Sequence, residues 1–134
     1  MKYLLDTNIC IYIIKNNPPA VQQRFSKERP GDVAISSITA AEFYYGAEKS
    51  SQVDKNIISI QKLLQPLIAL HFSEEDAVAY GKVRADLERQ GAPIGAMDLL
   101  IAAQALSHEL ILVTNNVREF QRVASLRIEN WAAK

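Results

Sequence analysis

Residues 110–116 read LILVTNN, and this stretch indicates the fold more clearly than any other part of the chain. Four apolar residues followed by a short polar run are typical of a buried strand that ends in a loop. Shorter apolar runs lie at residues 3–5, 33–35, 68–70 and 126–128. Helical patterns separate them, at residues 9–15, 20–27, 39–49, 53–64, 74–89 and 95–107, with a short helix from about Val117. This alternation predicts an α/β fold with a central parallel β-sheet and helices on both faces.

Length and composition narrow the class of protein. The chain has 134 residues, which suits one domain over residues 1–134. Lys and Arg number 15, as do Asp and Glu, so the net charge is zero. This excludes a strongly basic protein that coats nucleic acid, but not an enzyme with a local basic patch. The single cysteine excludes an internal disulfide and a cysteine-rich zinc site. With neither a signal peptide nor a membrane span expected, the prediction is a cytoplasmic protein.

Three carboxylates occupy unusual positions in this pattern. Asp6 directly follows the first strand, Glu42 lies in the helix after the second strand, and Asp98 opens the helix before the fourth. Each has a structural explanation when taken alone. Asp6 is a suitable helix N-cap, Glu42 could be a solvated helix position, and Asp98 would complement the dipole of its helix.

The three carboxylates together favour a metal site. In open parallel sheets ligands bind at the carboxyl ends of the strands, where the topology could bring all three acids together. Carboxylates within about 5 Å of one another repel strongly, and a divalent cation relieves that repulsion. Oxygen ligands select Mg²⁺ or Mn²⁺ over zinc, and His71 and His108 lack the spacing of metal ligands.

Six stretches of the chain resemble those of the PIN-domain ribonucleases, and most closely the VapC toxins of bacterial VapBC toxin–antitoxin pairs. They read LLDTN at residues 4–8, SSITAAE at 36–42, GAEKS at 46–50, PIGAMD at 93–98, LVTNN with Glu119-Phe120 at 112–120, and IENW at 128–131. The resemblance covers nearly the whole chain. It implies a PIN-like α/β fold, Mg²⁺- or Mn²⁺-dependent cleavage of RNA by a metal-activated water, a homodimer, and neutralisation by a cognate VapB antitoxin.

The resemblance also implies residue roles. By position, Asp6, Glu42 and Asp98 would be the metal-binding catalytic carboxylates, and Asn8 and Thr114 would hold them or a metal-bound water in place. Many family members have a fourth acid two residues after this threonine, where the present chain has Asn116. Either Asn116 ligates through its amide oxygen or through water, or Glu119 replaces the missing acid from the next helical turn.

Two surfaces are predicted beside the site. The phosphates of RNA require basic side chains on the surface that binds them, and the candidates are Lys49, Arg84, Arg118 and Arg122. Arg118 and Arg122 would share a face if their segment is helical. A structured target such as a tRNA or rRNA loop fits this class of enzyme, because sequence-specific proteins usually read unstacked RNA bases. Tyr44 and Tyr45 follow Glu42 and are candidates for the border of a groove that accepts the antitoxin's C-terminal segment.

Other classes remain as alternatives. A phospho-acceptor receiver-like domain is also a small α/β fold with acids at strand ends, but this chain lacks the acidic pair after the first strand. A phosphatase with an aspartyl nucleophile would need an Asp where Asn8 stands. No glycine-rich phosphate loop occurs, which argues against a nucleotide-binding module. A PIN nuclease that processes RNA without an antitoxin is the nearest alternative.

Overall fold

The computed structural model describes residues 1–132, in which five strands form one sheet. The last two residues of the predicted domain lie outside this range. All neighbouring strands run parallel, in the order β3-β2-β1-β4-β5. Their bounds are β1 Tyr3–Leu5, β2 Val33–Ser36, β3 Ile68–Leu70, β4 Ile111–Val113 and β5 Ile128–Glu129. The parallel sheet inferred from the sequence is therefore confirmed.

β4 begins one residue later than predicted, at Ile111, and the last strand begins two residues later. The sequence pattern placed it at residues 126–128, whereas β5 begins at Ile128. Ser125 has a φ of 67°, and the Leu126 N–H still bonds to the Val123 carbonyl. The chain is thus still turning at Leu126, although this side chain is apolar.

Seven α-helices occur in the described residues, in the predicted order. They are α1 Thr7–Lys15, α2 Pro19–Ser26, α3 Ser37–Lys49, α4 Val53–Leu64, α5 Glu74–Arg89, α6 Ala96–Ser107 and α7 Val117–Phe120. The Ser36 hydroxyl caps α3, and a reciprocal capping box between Ser73 and Asp76 opens α5. Within residues 1–132, no helix is long and apolar enough to cross a membrane.

Helices cover both faces of the sheet. Leu4 and Leu5 are consecutive in β1 and fully buried, but they belong to two separate apolar clusters, because successive side chains of a strand point to opposite faces. Helices α1 to α4 build the cluster around Leu5, with Ile9 and Phe43 among its members. Helices α5 to α7 build the cluster around Leu4, to which Leu87 belongs.

The strand order creates a crevice at one edge of the sheet. The chain passes outward from β1 to β2 and β3, and then returns to β4 on the other side of β1. The order therefore reverses at β1, and ligands of open α/β sheets bind at such switch points. Pairing continues past the strand ends, since the Asp6 N–H donates to the Val113 carbonyl at 3.0 Å. This bond places Asp6 beside the start of the loop that follows β4.

Candidate active site

Asp6 lies at the carboxyl end of β1 and is 6% exposed. Its Oδ1 accepts the Ile9 N–H at 2.9 Å, so it is the N-cap of α1. The Thr114 hydroxyl and the Asn8 backbone N–H lie near this carboxylate and act to lower its pKa. Burial raises the pKa of Asp6, and the nearby charge of Glu42 raises it further, against the opposing effect of these donors. The N-cap interpretation and a place in the acidic site are therefore both correct for Asp6.

Glu42 is held beside Asp6 by a residue that sequence reasoning missed. Thr7 donates its hydroxyl to Glu42 Oε1 at 2.8 Å, which joins the first turn of α1 to α3. Thr7 lies between two residues that were singled out, Asp6 and Asn8, and this position was the available signal. This hydrogen bond fixes the position of Glu42 Oε1, although the Glu42 side chain is only half-buried.

Asp98 shares its surroundings with Glu119. It lies in the first turn of α6, and its Oδ2 approaches within 3.5 Å of the point where a Cβ on Gly95 would stand. Glu119 Oε1 is close to the same point and accepts the Gly95 N–H at 2.9 Å. Burial raises the pKa of Asp98 to about 6, with further contributions from Glu119 and then from Asp6 and Glu42. The pKa of Glu119 is lowered, first by the Gly95 N–H and then by Asn116.

The geometry also separates the roles of Asn116 and Glu119. The Asn116 amide Nδ2 donates to Glu119 Oε2 at 2.9 Å, and its backbone N–H donates to Thr114 Oγ1 at 2.9 Å. Glu119 is thus the residue that joins the acidic cluster, while Asn116 holds it. These contacts place Glu119 beside Asp98, and its role in place of the missing acid stays a prediction.

The four acids influence one another without a paired cation of their own. Among the residues that the structure describes, no ion pair involves Asp6, Glu42 or Asp98. The arrangement is open, since within residues 1–132 no three His, Cys, Asp or Glu side chains are gathered closely enough to hold an ion. Its donors are nevertheless all hard carboxylate oxygens, which is the chemistry that suits Mg²⁺ or Mn²⁺.

The two histidines lie apart from this cluster. His71 is exposed, and His108 Nε2 lies 3.3 Å from Oδ1 of the fully buried Asp76. Asp76 also accepts the Gln104 amide, so this group belongs to the packing of α5 against α6. The prediction that the histidines are ordinary structural or surface residues agrees with these contacts.

The predicted RNA-contacting side chains differ in the contacts that they make within the protein. Arg84 bonds to Glu88 and to the Tyr80 hydroxyl, and Arg122 donates to the Pro93 carbonyl at 3.1 Å. Lys49 Nζ lies 5.6 Å from the centroid of the Tyr45 ring, while Arg118 is exposed. Because α7 ends at Phe120, Arg118 and Arg122 do not share a helix face, contrary to the conditional expectation from their spacing.

A groove of about 500 Å³ borders Glu42, but the predicted tyrosines do not line it. Tyr44 and Tyr45 are 37% and 66% exposed and are not among the residues that line this groove, so their place at an antitoxin groove stays a prediction. The arrangement follows from helix geometry, because Phe43 points into the core and residues at helical spacing from it share its side. The groove lies between α1, α3 and α4, and its walls include Thr7, Ile11, Ile14, Phe43, Gly46, Ala47 and Ile60.

Comparisons with known proteins agree with this architecture. A family model described as PIN domain matches residues 3–126. Ribonuclease VapC2 of Haemophilus influenzae is 49% identical, over 98% of both chains. The tRNA(fMet)-specific endonuclease VapC of Shigella flexneri is 46% identical, over 98% of this chain and 99% of its own. The structure of DNA-bound VapBC from Salmonella typhimurium aligns with a TM-score of 0.93 and 42% identity, over 98% of both chains. The chain therefore belongs to the PIN domain family and, within it, to the VapC group.

Proposed function

We propose that this chain is a divalent-metal-dependent endoribonuclease, the toxin of a VapBC pair, which cleaves structured RNA and is neutralised by a VapB antitoxin. The observation that carries the proposal is the cluster of Asp6, Glu42, Asp98 and Glu119, whose charges accumulate at the switch point of the sheet without paired cations for the first three. The names of the VapC relatives support it. On this proposal the protein acts in the cytoplasm, where tRNA and ribosomes are found.

Asp6, Glu42 and Asp98 would hold the ion, with Glu119 as the fourth acid in place of the family's acid at position 116. When bound, a Mg²⁺ or Mn²⁺ ion would activate a water for in-line attack on phosphorus and offset the charge that develops on the phosphate oxygens. The mutual repulsion of the acids supports this assignment, since burial and like charges make the empty site electrostatically unfavourable.

The chain's own hydrogen bonds would keep the carboxylates in position. The Thr114 hydroxyl orients Asp6, the Thr7 hydroxyl orients Glu42, and the Gly95 N–H and the Asn116 amide orient Glu119. Asp98 is the acid with the most strongly raised pKa and thus the one that holds a proton most readily in the metal-free protein. Below about pH 6 a cation that enters the site must compete with this proton, so we expect metal affinity to rise with pH in that range.

A tRNA is the substrate that the relatives favour. Those from Shigella flexneri and Salmonella typhimurium are both named tRNA(fMet)-specific endonuclease. We extend this to a tRNA loop as the target of the present chain, because an unstacked loop exposes the phosphodiester that the acidic site must approach. Lys49 and Arg118 would contribute phosphate contacts, because both are exposed.

The groove between α1, α3 and α4 would receive the antitoxin. Its apolar walls suit an amphipathic segment, and Glu42 at its border suits an arginine on that segment, which would pair with the carboxylate and obstruct the site. Relatives crystallised as VapBC complexes support an antitoxin partner, in Rickettsia felis and in nontypeable Haemophilus influenzae. They favour it over a PIN nuclease without an antitoxin, and the family match argues against a receiver-like domain. A homodimer within the complex is part of the same proposal.

The proposal is tested by incubating the purified chain with a tRNA(fMet) transcript, an elongator tRNA and an rRNA fragment, in Mg²⁺, Mn²⁺ or excess EDTA. We expect metal-dependent cleavage of one tRNA that leaves a 5′-phosphate and a 3′-hydroxyl. Asp6→Asn should remain folded by circular dichroism and lose cleavage. Undiminished cleavage in EDTA, or full activity of Asp6→Asn, would contradict the mechanism. Co-expression with a VapB antitoxin, to be sought in a small reading frame directly upstream, should suppress cleavage, and failure to do so would contradict the antitoxin assignment.

A further inference from the structure

We propose that Tyr12 is a positioning residue of this nuclease, which acts through Asn115 to hold the segment 114–116 against the acidic site. The inference rests on the proposed nuclease function and concerns how the site keeps its shape. It starts from one contact, in which Asn115 Nδ2 donates to the Tyr12 hydroxyl at 2.7 Å. The two residues are 103 positions apart, so the bond ties the middle of α1 to the loop that follows β4.

Three consecutive side chains of the segment each have a different partner. Thr114 lies beside Asp6 and lowers its pKa, Asn115 bonds to Tyr12, and Asn116 bonds to Glu119. The first and third partners are acids of the site, whereas the second lies outside it. Tyr12 is therefore the point at which α1 anchors a segment that orients acids on both sides of the crevice.

The segment is also coupled internally. The Asn116 N–H donates to Thr114 Oγ1, and the same hydroxyl lies beside Asp6 and lowers its pKa. A shift of the loop would therefore move the donors of Asp6 and Glu119 together. Because the Glu119 carboxylate also accepts the Gly95 N–H in front of α6, such a shift would extend to the surroundings of Asp98.

The other end of the Asn115 amide explains why this bond matters. Among the described residues, Asn115 Oδ1 is buried and has no hydrogen-bond partner. A buried unpaired carbonyl oxygen is costly, and such groups persist where the surrounding structure holds them in place. The bond to Tyr12 is therefore the contact that fixes the orientation of the Asn115 amide, and its loss would leave the whole side chain unpaired.

Tyr12→Phe is a suitable variant because it removes one oxygen and keeps the ring that packs against the cluster around Leu5. Tyr3→Phe is the matched control. Tyr3 begins β1, at the end of the strand opposite to Asp6, and its hydroxyl accepts from Arg24 at 3.1 Å. Both variants lose one tertiary hydrogen bond of a tyrosine, so a merely structural role would lower the melting temperature of both and leave catalysis unaffected.

The experiment measures kcat, KM, melting temperature and the affinity for Mn²⁺, the last by electron paramagnetic resonance without RNA. For Tyr12→Phe we expect kcat to fall on the order of tenfold with KM within about twofold, and Mn²⁺ affinity to fall by a similar factor, since supporting contacts of metal ligands have effects of about 10–100-fold. Tyr3→Phe should match the wild type in kcat and Mn²⁺ affinity. Asn115→Ala should reproduce the loss, and the double variant Tyr12→Phe/Asn115→Ala should lose no more than Asn115→Ala alone.

The inference is wrong if Tyr12→Phe keeps wild-type kcat and Mn²⁺ affinity, or if its effect adds fully to that of Asn115→Ala. Wild type and Asp6→Asn are assayed in parallel to separate the two levels of the argument. If the wild type does not cleave RNA, the proposed function fails, and the Mn²⁺ affinities of Tyr12→Phe and Asn115→Ala then decide the positioning role alone.

Discussion

Two clusters of charged side chains in this molecule differ in how their charges are arranged. In the Arg24 cluster, positive and negative groups are paired, since Arg24 lies 3.1 Å from Glu28 and 3.3 Å from Glu129. Its guanidinium also lies over the rings of Tyr3 and Trp131, at 5.7 and 5.0 Å from their centroids. In the acidic cluster, formed by Asp6, Glu42, Asp98 and Glu119, like charges face one another and burial adds to their repulsion. The first cluster stabilises the fold, whereas the second stores electrostatic strain at the crevice.

The difference between the clusters separates stability from function. The Arg24 cluster joins α2 to β1 and to the residues after β5, so its pairing supports the attachment of the last strand. In the acidic cluster, the hydrogen bonds to Asp6, Glu42 and Glu119 are opposed by the burial and repulsion that raise the pKa of Asp98, and strain of this kind is typical of sites that await a ligand. Neutralising one carboxylate should therefore have opposite effects on stability in the two clusters, which gives a direct test of the difference between them.

The largest expected effect is that of Asp98→Asn in the acidic cluster. We expect cleavage to fall by about 100-fold or more, because a proposed ligand is lost. In excess EDTA the same variant should melt at a higher temperature than the wild type, because burial and like charges raise the pKa of Asp98 from 3.8 to about 6 and so oppose its charged form. A charge at the start of α6 is favoured by the helix dipole, but the raised pKa indicates that burial and repulsion prevail.

Glu129→Gln in the Arg24 cluster is the matched control. It also neutralises one carboxylate, but one that pairs with Arg24 and accepts the Trp131 indole N–H at 3.0 Å. We expect a lower melting temperature and an unchanged kcat per folded molecule. A decrease in the melting temperature of Asp98→Asn in EDTA, or an increase for Glu129→Gln, would show that the two clusters do not differ as described.

The second effect is the loss of the pairing cation itself, in Arg24→Met. This change keeps most of the apolar stem and removes two ion pairs and two cation–π contacts. Since the Arg24 side chain is 39% exposed, we expect a destabilisation of only about 1–2 kcal/mol. Urea unfolding measures it, and cleavage per folded molecule should stay unchanged. A loss of kcat at full folding would contradict the separation of the two clusters.

How much of this contrast the sequence could predict differs between residues. Asp6, Glu42 and Asp98 were recognisable because each is a carboxylate at a strand end or among apolar neighbours, which is a local signal. Thr7 and Tyr12 gave no comparable local signal. The role of a hydroxyl depends on its hydrogen-bond partner, and that partner is known only once the chain is folded. The Arg24 cluster was missed for the same reason, since its members come from β1, α2 and the end of the chain.

The elements themselves were largely predictable because their signals are local. Ser36, Ser73 and the Pro18-Pro19 pair mark boundaries through hydrogen bonds and dihedral limits that act within a few residues. The residues that line the groove beside Glu42 were not predictable, because its location depends on how α1 and α4 pack against α3. The choice between Asn116 and Glu119 likewise required the loop before α6, whose Gly95 N–H binds Glu119.

The third effect is a pH dependence of the stability difference caused by Asp98. A carboxyl group whose pKa is raised on folding destabilises the charged native state, so its penalty grows as pH rises from about 4, the unfolded pKa, and is complete above about 6. In EDTA, the melting temperature of Asp98→Asn minus that of the wild type should therefore be positive at pH 7 and shrink towards zero near pH 4. Differential scanning calorimetry measures both proteins in matched buffers. A difference that is constant, or larger at low pH, would contradict the proposed strain on Asp98.

The smallest expected effect extends the comparison to surface cations. Arg84 resembles Arg24, since it bonds to Glu88 and to a tyrosine hydroxyl, whereas Arg118 has no ion pair among residues 1–132. An unpaired cation near the site can release a counterion when it meets a phosphate, but a paired one must first give up its partner. Arg118→Ala should therefore reduce the slope of log affinity for tRNA against log salt by about 1. Arg84→Ala should change this slope less, and a larger effect of Arg84→Ala in a filter-binding titration would show that pairing does not govern which cations meet RNA.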